Sequence, residues 1–300
     1  MSTDARRVRR TGCQWRPDPK VSDVNETDLR LSDGRMLHVY DTGKGELPVF
    51  WHHGTPNLGA PPEPLFAAAD RLGIRFVSFD RPGYGGSTPA PGRTMASTAG
   101  DAGAVADSLG VDRFAVVGYS GGGCYALGCA ATFGDRVRAV VTLAAIAPYD
   151  ADGLDWFAGM VPSGVAALQA ATRGREAKTE YETSGVEYDP EFTPADLAMF
   201  DGPWSWLGKV AGRGLDAGPY GQIDDDVSYV TAWDCDPSTI SAPVLLFHGI
   251  QDGIIPATHG QWLAGHIPGA ELRLSPSTAH ISVLGHAESG LEWLRERYAN

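Results

Sequence analysis

Three residues that could together activate a hydroxyl nucleophile lie far apart in this chain: Ser120, Asp252 and His280. A serine hydroxyl is a poor nucleophile at neutral pH, so it needs a base to take its proton and an acid to orient that base. Ser120 lies in the G-x-S-x-G sequence of residues 118–122, between an apolar run and a stretch of small residues. This context is typical of a nucleophile elbow, a tight strand-to-helix turn that exposes the serine.

The other two members of the set follow later predicted strands. Asp252 comes after the apolar run at residues 243–247, and His280 comes after the run at residues 270–274. Because binding groups in open α/β sheets gather at the carboxyl ends of strands, we expect the three side chains to meet there. The set predicts attack by Ser120 on a carbonyl carbon, with His280 as the base and Asp252 orienting it.

The apolar runs alternate with helical stretches, which is the pattern of a largely parallel sheet covered by helices. Upstream, the runs Asp28–Leu31 and Met36–Tyr40 flank a turn-like segment and predict an antiparallel hairpin at the sheet edge. The predicted fold class is therefore α/β, with an eight-stranded, mostly parallel sheet. The six later runs are Pro48–Trp51, Ile74–Phe79, Phe114–Tyr119, Ala139–Ala145, Pro243–Phe247 and Ala270–Leu274.

The alternation of strands and helices stops between Pro148 and Asp236, where Trp, Gly and charged residues replace the Val and Ile runs. We interpret residues 148–236 as an inserted helical cap, and residues 23–147 and 237–300 as the core that it covers. The acidic run at residues 224–226 is expected to be a solvated loop, since no histidine accompanies it to suggest a metal site.

Composition narrows the function classes. The chain has 300 residues with 43% hydrophobic content, which allows a substantial core, and its net charge of −13 disfavours a nucleic-acid partner. The first 20 residues hold six basic and two acidic groups with no apolar stretch behind them. We therefore expect residues 1–22 to be a basic extension, with neither a secretory peptide nor a membrane span. The four cysteines lack metal-ligand spacing and fit a cytoplasmic location, with no metal or organic cofactor required.

From about Asp23 to Tyr298 the chain resembles the α/β-hydrolase superfamily, in particular its capped serine hydrolases. The resemblance rests on the elbow, on the two strand-end partners, on residues 53–56 as an HGxP loop and on residues 80–87 as a DxPGxGxS turn. One departure is Ala279, where the family usually has glycine before the histidine. The fold that it implies agrees with the one predicted from the apolar runs.

The resemblance also implies roles around the nucleophile. It places a backbone oxyanion donor after His-Gly, which is Thr55 because Pro56 has no N–H, and a second donor at Gly121. His53, Asp80 and Arg81 are implied to shape their loops and turns. The side chains expected to line the substrate pocket are His52, Asn57, Tyr119, Trp156 and Trp204.

A serine nucleophile argues against the dehalogenase and epoxide hydrolase branches, which use aspartate, so the expected reaction is hydrolysis of a small carboxylic ester. Alternatives on the same triad are C–C bond hydrolysis, perhydrolysis and thioester cleavage. Asp150, after the preceding strand, is a second candidate for the acid, although HGxxD around Asp252 is the tighter match. A non-catalytic small-molecule binding protein is the alternative of another class. The tryptophan-rich cap favours an apolar or aromatic substrate, and nothing in the sequence predicts an oligomeric state.

Overall fold

A central sheet of eight strands organises the chain. The computed structural model describes residues 24–298. The strands appear in the spatial order β1-β2-β4-β3-β5-β6-β7-β8, in which β2 runs antiparallel to β1 and β4 and the other pairs are parallel. They are β1 (Asn25–Arg30), β2 (Met36–Asp41), β3 (Leu47–His52), β4 (Ile74–Phe79), β5 (Phe114–Tyr119), β6 (Val137–Leu143), β7 (Val244–Gly249) and β8 (Glu271–Ser275). The predicted fold class and the edge hairpin are confirmed.

Helices cover both faces of the sheet, which explains why the inner strands are apolar at nearly every position. All six residues of β5 and of β7 are buried, whereas β1 at the edge is mostly exposed. The helices are α1 (Phe66–Leu72), α2 (Met95–Ser108), α3 (Gly121–Phe133), α4 (Pro162–Thr172), α5 (Arg175–Thr183), α6 (Pro194–Met199), α7 (Ser205–Gly214), α8 (Tyr220–Tyr229), α9 (Ala257–His266) and α10 (Ala287–Tyr298). Within residues 24–298, no helix has the length and apolar character needed to cross a bilayer.

Five of these helices, α4 to α8, lie between β6 and β7. They lie within residues 148–236, the segment expected to be a cap, and we keep that name for it. Its helix α8 packs against α4 and α5. The predicted basic extension at residues 1–22 lies outside the described residues.

Candidate active site

Ser120 occupies a strained turn between β5 and α3. Its backbone has φ 55° and ψ −129°, a conformation that costs a non-glycine residue about 1–3 kcal/mol. A Cβ on Gly118 would lie 2.4 Å from the Gly122 oxygen, and a Cβ on Gly122 would lie 2.0 Å from the His52 oxygen. The two glycines of the motif are therefore required by close backbone packing, and they let the turn present the serine hydroxyl.

The three side chains of the predicted set form one hydrogen-bonded chain. His280 Nε2 lies 2.9 Å from Ser120 Oγ, and His280 Nδ1 lies 2.8 Å from Asp252 Oδ2. A carboxylate can only accept, so Nδ1 carries the proton and Nε2 is left as the acceptor for the serine hydroxyl. This is the tautomer that a general base needs.

Asp252 is itself fixed by its own loop. Its Oδ1 accepts hydrogen bonds from the amides of Ile254 and Ile255, each at 2.9 Å, which leaves Oδ2 for His280. The alternative acid, Asp150, lies on the surface after β6 and is exposed. The structure therefore brings Asp252, and not Asp150, to His280.

Thr55 and Gly121 lie beside Ser120 and line the same cavity. Gly121 is the first residue of α3, where an amide has no partner within the helix. His53 shapes this region in one tautomer: its Nε2 accepts from the Arg81 amide at 3.1 Å, and its Nδ1 donates to the Gly54 oxygen at 2.8 Å. Burial keeps the pKa of His53 well below its ordinary value, so the ring stays neutral.

The acidic run at residues 224–226 is not a solvated loop, and that expectation was wrong. All three aspartates lie in α8 and are buried. Asp225 accepts from Arg81 Nη2 and from Arg93 Nη2, each at 2.6 Å, and these two guanidinium groups hold its pKa well below the usual range despite its burial. Arg81 also donates to the His53 oxygen, so one buried ion pair ties the cap to the loop beside the nucleophile.

Ser120 lies where two lobes of a cavity meet. The acidic lobe, about 340 Å³, is bounded by α4, α5 and α8 and contains the side chains of Glu182, Gln222 and Asp226. The aromatic lobe, about 240 Å³, contains Phe192 and Phe200. Such a two-part cavity can hold the two sides of a scissile bond on either side of a nucleophile.

Two of the five predicted pocket residues line this cavity, namely Asn57 and Tyr119, both in the aromatic lobe. His52 does not: it is 2% exposed, and its Nε2 lies 3.4 Å from Cys129 Sγ beneath the elbow. Trp156 is turned into the protein, where its Nε1 donates to the Ala147 oxygen at 2.9 Å. Trp204 packs edge-on against Trp206 in the core. These three expectations were wrong because indole and imidazole rings are also good core residues.

A sequence model described as alpha/beta hydrolase fold matches residues 48–287, which is most of the chain. The chain belongs to the α/β hydrolase family. Its matched segment contains the elbow, the HGxP loop, the DxPGxGxS turn and all three members of the hydrogen-bonded chain.

Relatives of this α/β hydrolase carry several activities in their names. It is 29% identical to the 2-hydroxymuconate semialdehyde hydrolase of Pseudomonas putida, over 86% of this chain and 89% of the relative. It is 26% identical to the pimeloyl-[acyl-carrier protein] methyl ester esterase of Nitrosomonas europaea, over 84% and 95% of the two chains. Among solved structures, a bromoperoxidase from Bacillus anthracis superposes with a TM-score of 0.69 at 23% identity, over 92% of this chain and 100% of that one. The structural likeness establishes the fold alone.

One residue that sequence reasoning missed in this hydrolase is Asp196, at the start of α6. Its Oδ1 accepts from the amides of Ile281 and Ser282 at 2.8 and 2.7 Å, and from the Ser282 hydroxyl at 2.9 Å. These residues directly follow His280, so a carboxylate of the cap holds the histidine loop. The sequence signal was an acidic residue in a first helical turn, which normally indicates only a favourable dipole contact.

Proposed function

We propose that this protein is a serine hydrolase that cleaves a small carboxylic ester through an acyl-enzyme. The observation that carries the proposal is the hydrogen-bonded chain from Ser120 to His280 to Asp252, at the point where the two lobes of the cavity meet. A nucleophile, a base in the right tautomer and an orienting acid are the parts that acyl transfer needs.

In the proposed mechanism, Ser120 Oγ attacks the carbonyl carbon while His280 Nε2 takes the hydroxyl proton. The amides of Thr55 and Gly121 stabilise the oxygen that becomes negative in the tetrahedral intermediate. His280 then gives the proton to the leaving alcohol, and the acyl-enzyme forms. A water molecule, deprotonated by the same imidazole, releases the acid and restores the serine.

The cavity lining supports an uncharged substrate with an apolar group. Phe192, Phe200 and Leu207 give the aromatic lobe an apolar surface. Among the described residues that line either lobe, none is Arg or Lys, whereas Glu182 and Asp226 line the acidic lobe. Lys178 stands between these two carboxylates, but its ammonium is already bonded to both, at 2.5 and 2.7 Å, so one negative charge is left over. An anionic group would be repelled there.

The second candidate is C–C bond hydrolysis, which the name of the Pseudomonas putida relative favours and which the same three side chains could perform. A further relative, from Burkholderia cepacia, is named for a dienoate, a carboxylate substrate. The charge of the acidic lobe favours an uncharged ester over such an anion. Perhydrolysis and thioester cleavage share the acyl-enzyme and remain side activities to assay.

The test is covalent labelling followed by a substrate panel. A fluorescent alkyl phosphonate should label the wild-type protein, and it should not label Ser120→Ala or His280→Ala. A panel of p-nitrophenyl esters of rising chain length, with benzoate and succinate monoesters and one 2-hydroxy-6-oxo-dienoate as the C–C bond substrate, should give turnover of the uncharged apolar members. Failure of wild-type labelling would refute a serine hydrolase, and preferred turnover of a dienoate would favour the second candidate.

A further inference from the structure

A tyrosine of the cap lies beside Thr55 and Gly121, the two residues expected to supply the oxyanion donors. Tyr229, the last residue of α8, is buried, and it lines the acidic lobe together with Ser120, Gly121 and Thr55. Its hydroxyl oxygen lies 2.6 Å from Thr55 Oγ1. A Cβ added to Gly121 would lie only 1.9 Å from that oxygen, so the hydroxyl lies directly against the residue that supplies the second amide.

The neighbouring groups decide which way the hydroxyl protons point. Asp225 Oδ2 lies 2.6 Å from Thr55 Oγ1 and can only accept, so the Thr55 hydroxyl donates its single proton to this carboxylate. Thr55 Oγ1 must then accept the proton of Tyr229. Burial raises the pKa of Tyr229 well above its ordinary value, so the phenol stays protonated and remains a donor.

The Tyr229 proton can leave Thr55 at little cost. Arg81 Nη2 lies 3.3 Å from Thr55 Oγ1 and supplies that oxygen with a second donor. When the phenolic O–H rotates away, Thr55 therefore keeps a partner, and the rotated proton points toward a new acceptor. A negatively charged oxygen beside Gly121 is a stronger acceptor than a neutral hydroxyl.

We propose that Tyr229 is a third oxyanion donor, whose hydroxyl proton turns from Thr55 to the negative oxygen of the tetrahedral intermediate. The inference rests on the proposed acyl-enzyme function and adds a side-chain donor to the two backbone amides. No proton is transferred: the phenol donates a hydrogen bond when the oxyanion forms and returns to Thr55 when the carbonyl re-forms. Because the new bond exists only with the charged oxygen, it lowers the barrier without tightening substrate binding.

The experiment compares Tyr229→Phe, which removes only the hydroxyl, with Tyr220→Phe, which removes the hydroxyl of an exposed tyrosine at the start of the same helix, outside both lobes. With p-nitrophenyl butyrate, Tyr229→Phe should lower kcat about 10- to 100-fold, a somewhat smaller fall than the loss of a principal oxyanion donor causes. KM should stay within about two-fold. Tyr220→Phe should leave kcat within about two-fold.

A second readout separates donation from a structural role. In the adduct of Ser120 with a 13C-labelled trifluoromethyl ketone, the hemiketal oxygen mimics the oxyanion, and its pKa can be followed by the 13C chemical shift. Tyr229→Phe should raise that pKa, whereas Thr55→Val, which removes the resting partner and keeps Tyr229, should raise it much less. Unchanged kcat and an unchanged hemiketal pKa in Tyr229→Phe would overturn the inference, as would equal shifts in both variants. If the wild-type protein is not labelled by the phosphonate at all, the proposed function fails first.

Discussion

The Thr55 hydroxyl donates a hydrogen bond to the carboxylate of Asp225, 2.6 Å away and 170 residues further along the chain. This bond joins the loop beside the nucleophile to a helix of the cap. The same carboxylate accepts from Tyr84 at 2.7 Å and from Tyr125 at 2.8 Å, in addition to the two arginines. The cap helix α8 is thus a fixed wall of the candidate site, bonded to the loop, to the turn after β4 and to α3.

The buried charge of Asp225 gives the first prediction. Asp225→Asn leaves Arg81 without its anion and leaves Arg93 with only the Asp224 carboxylate, 3.7 Å away, and the removal of one partner from a buried pair typically costs about 3–5 kcal/mol. Urea unfolding at pH 7 should show a loss of this size in the free energy of unfolding. Asp216→Asn, an exposed position just before α8, is the matched control and should lie within about 0.5 kcal/mol of the wild type. A loss below about 1 kcal/mol in Asp225→Asn would contradict the tie between cap and core.

The choice of acid gives the second prediction. Asp252→Asn should lower kcat about 10⁴-fold, because the amide would stabilise the wrong tautomer of His280. Asp150→Asn should leave kcat unchanged, because Asp150 is exposed and lies outside the hydrogen-bonded chain. Steady-state kinetics on one active ester measures both variants. A near-normal kcat in Asp252→Asn would show that another group orients the histidine.

The contact between Asp196 and the histidine loop gives the third prediction. Asp196→Ala removes the acceptor of three hydrogen bonds, so we expect kcat to fall about 10-fold and the free energy of unfolding to fall by about 1–3 kcal/mol. Asp196→Asn retains an amide oxygen that can accept the same bonds, and it should recover most of kcat. Asp201→Asn, at an exposed position after the same helix, is the control. If the alanine variant keeps full kcat, the loop is held by other contacts.

The sequence predicted the parts of the molecule that local rules determine. The strand positions to within about three residues, the strained turn at Ser120 and the order of Ser120, Asp252 and His280 follow from apolar runs, glycine spacing and the geometry of parallel sheets. The environment of Asp225 was not predictable in this way, because its burial depends on arginines that lie 144 and 132 positions earlier in the chain. An acidic run without distant partners is normally solvated. The prediction that Trp156 and Trp204 line the substrate pocket was wrong for a related reason, since the direction in which a cap side chain points is set by tertiary packing.

Buried neutral histidines give a prediction about pH. Burial lowers the pKa of His259 to about 4, while the unfolded chain takes up that proton near 6.5. Between these values the unfolded state binds more protons, so stability falls as the pH falls, by about 1.4 kcal/mol per pH unit for one such group. The pKa of His52 is lowered to about 3, so this group also makes stability fall as the pH falls. The pKa of Asp226 is raised to about 6, so below pH 6 this group makes stability rise as the pH falls.

Urea unfolding at pH 7.5, 6.5 and 5.5 measures the slope, and a variant isolates His259. In the wild type, His259 Nδ1 accepts from the Ala147 amide at 3.2 Å, a role that the amide oxygen of Asn can take over. His259→Asn should therefore be less stable than the wild type at pH 7.5. Between pH 6.5 and 5.5 its free energy of unfolding should fall less steeply with pH, because about one proton fewer is taken up on unfolding. Equal slopes in the two proteins would show that His259 titrates normally in the folded state.

The net negative charge of the acidic lobe, where Glu182 and Asp226 share the single ammonium of Lys178, gives the last prediction. Glu182→Gln removes one negative charge from the lining of the acidic lobe. The neutral amide keeps an oxygen that can accept a hydrogen bond from Lys178. For a succinate monoester, whose free carboxylate would enter this lobe, kcat/KM should rise about five-fold, which corresponds to about 1 kcal/mol for a partly exposed charge at this range. For an uncharged ester of the same length, kcat/KM should stay within about two-fold. Glu180→Gln, exposed on the same helix, should change neither value. An equal gain for both esters in Glu182→Gln would show that shape, and not charge, sets the preference of this lobe.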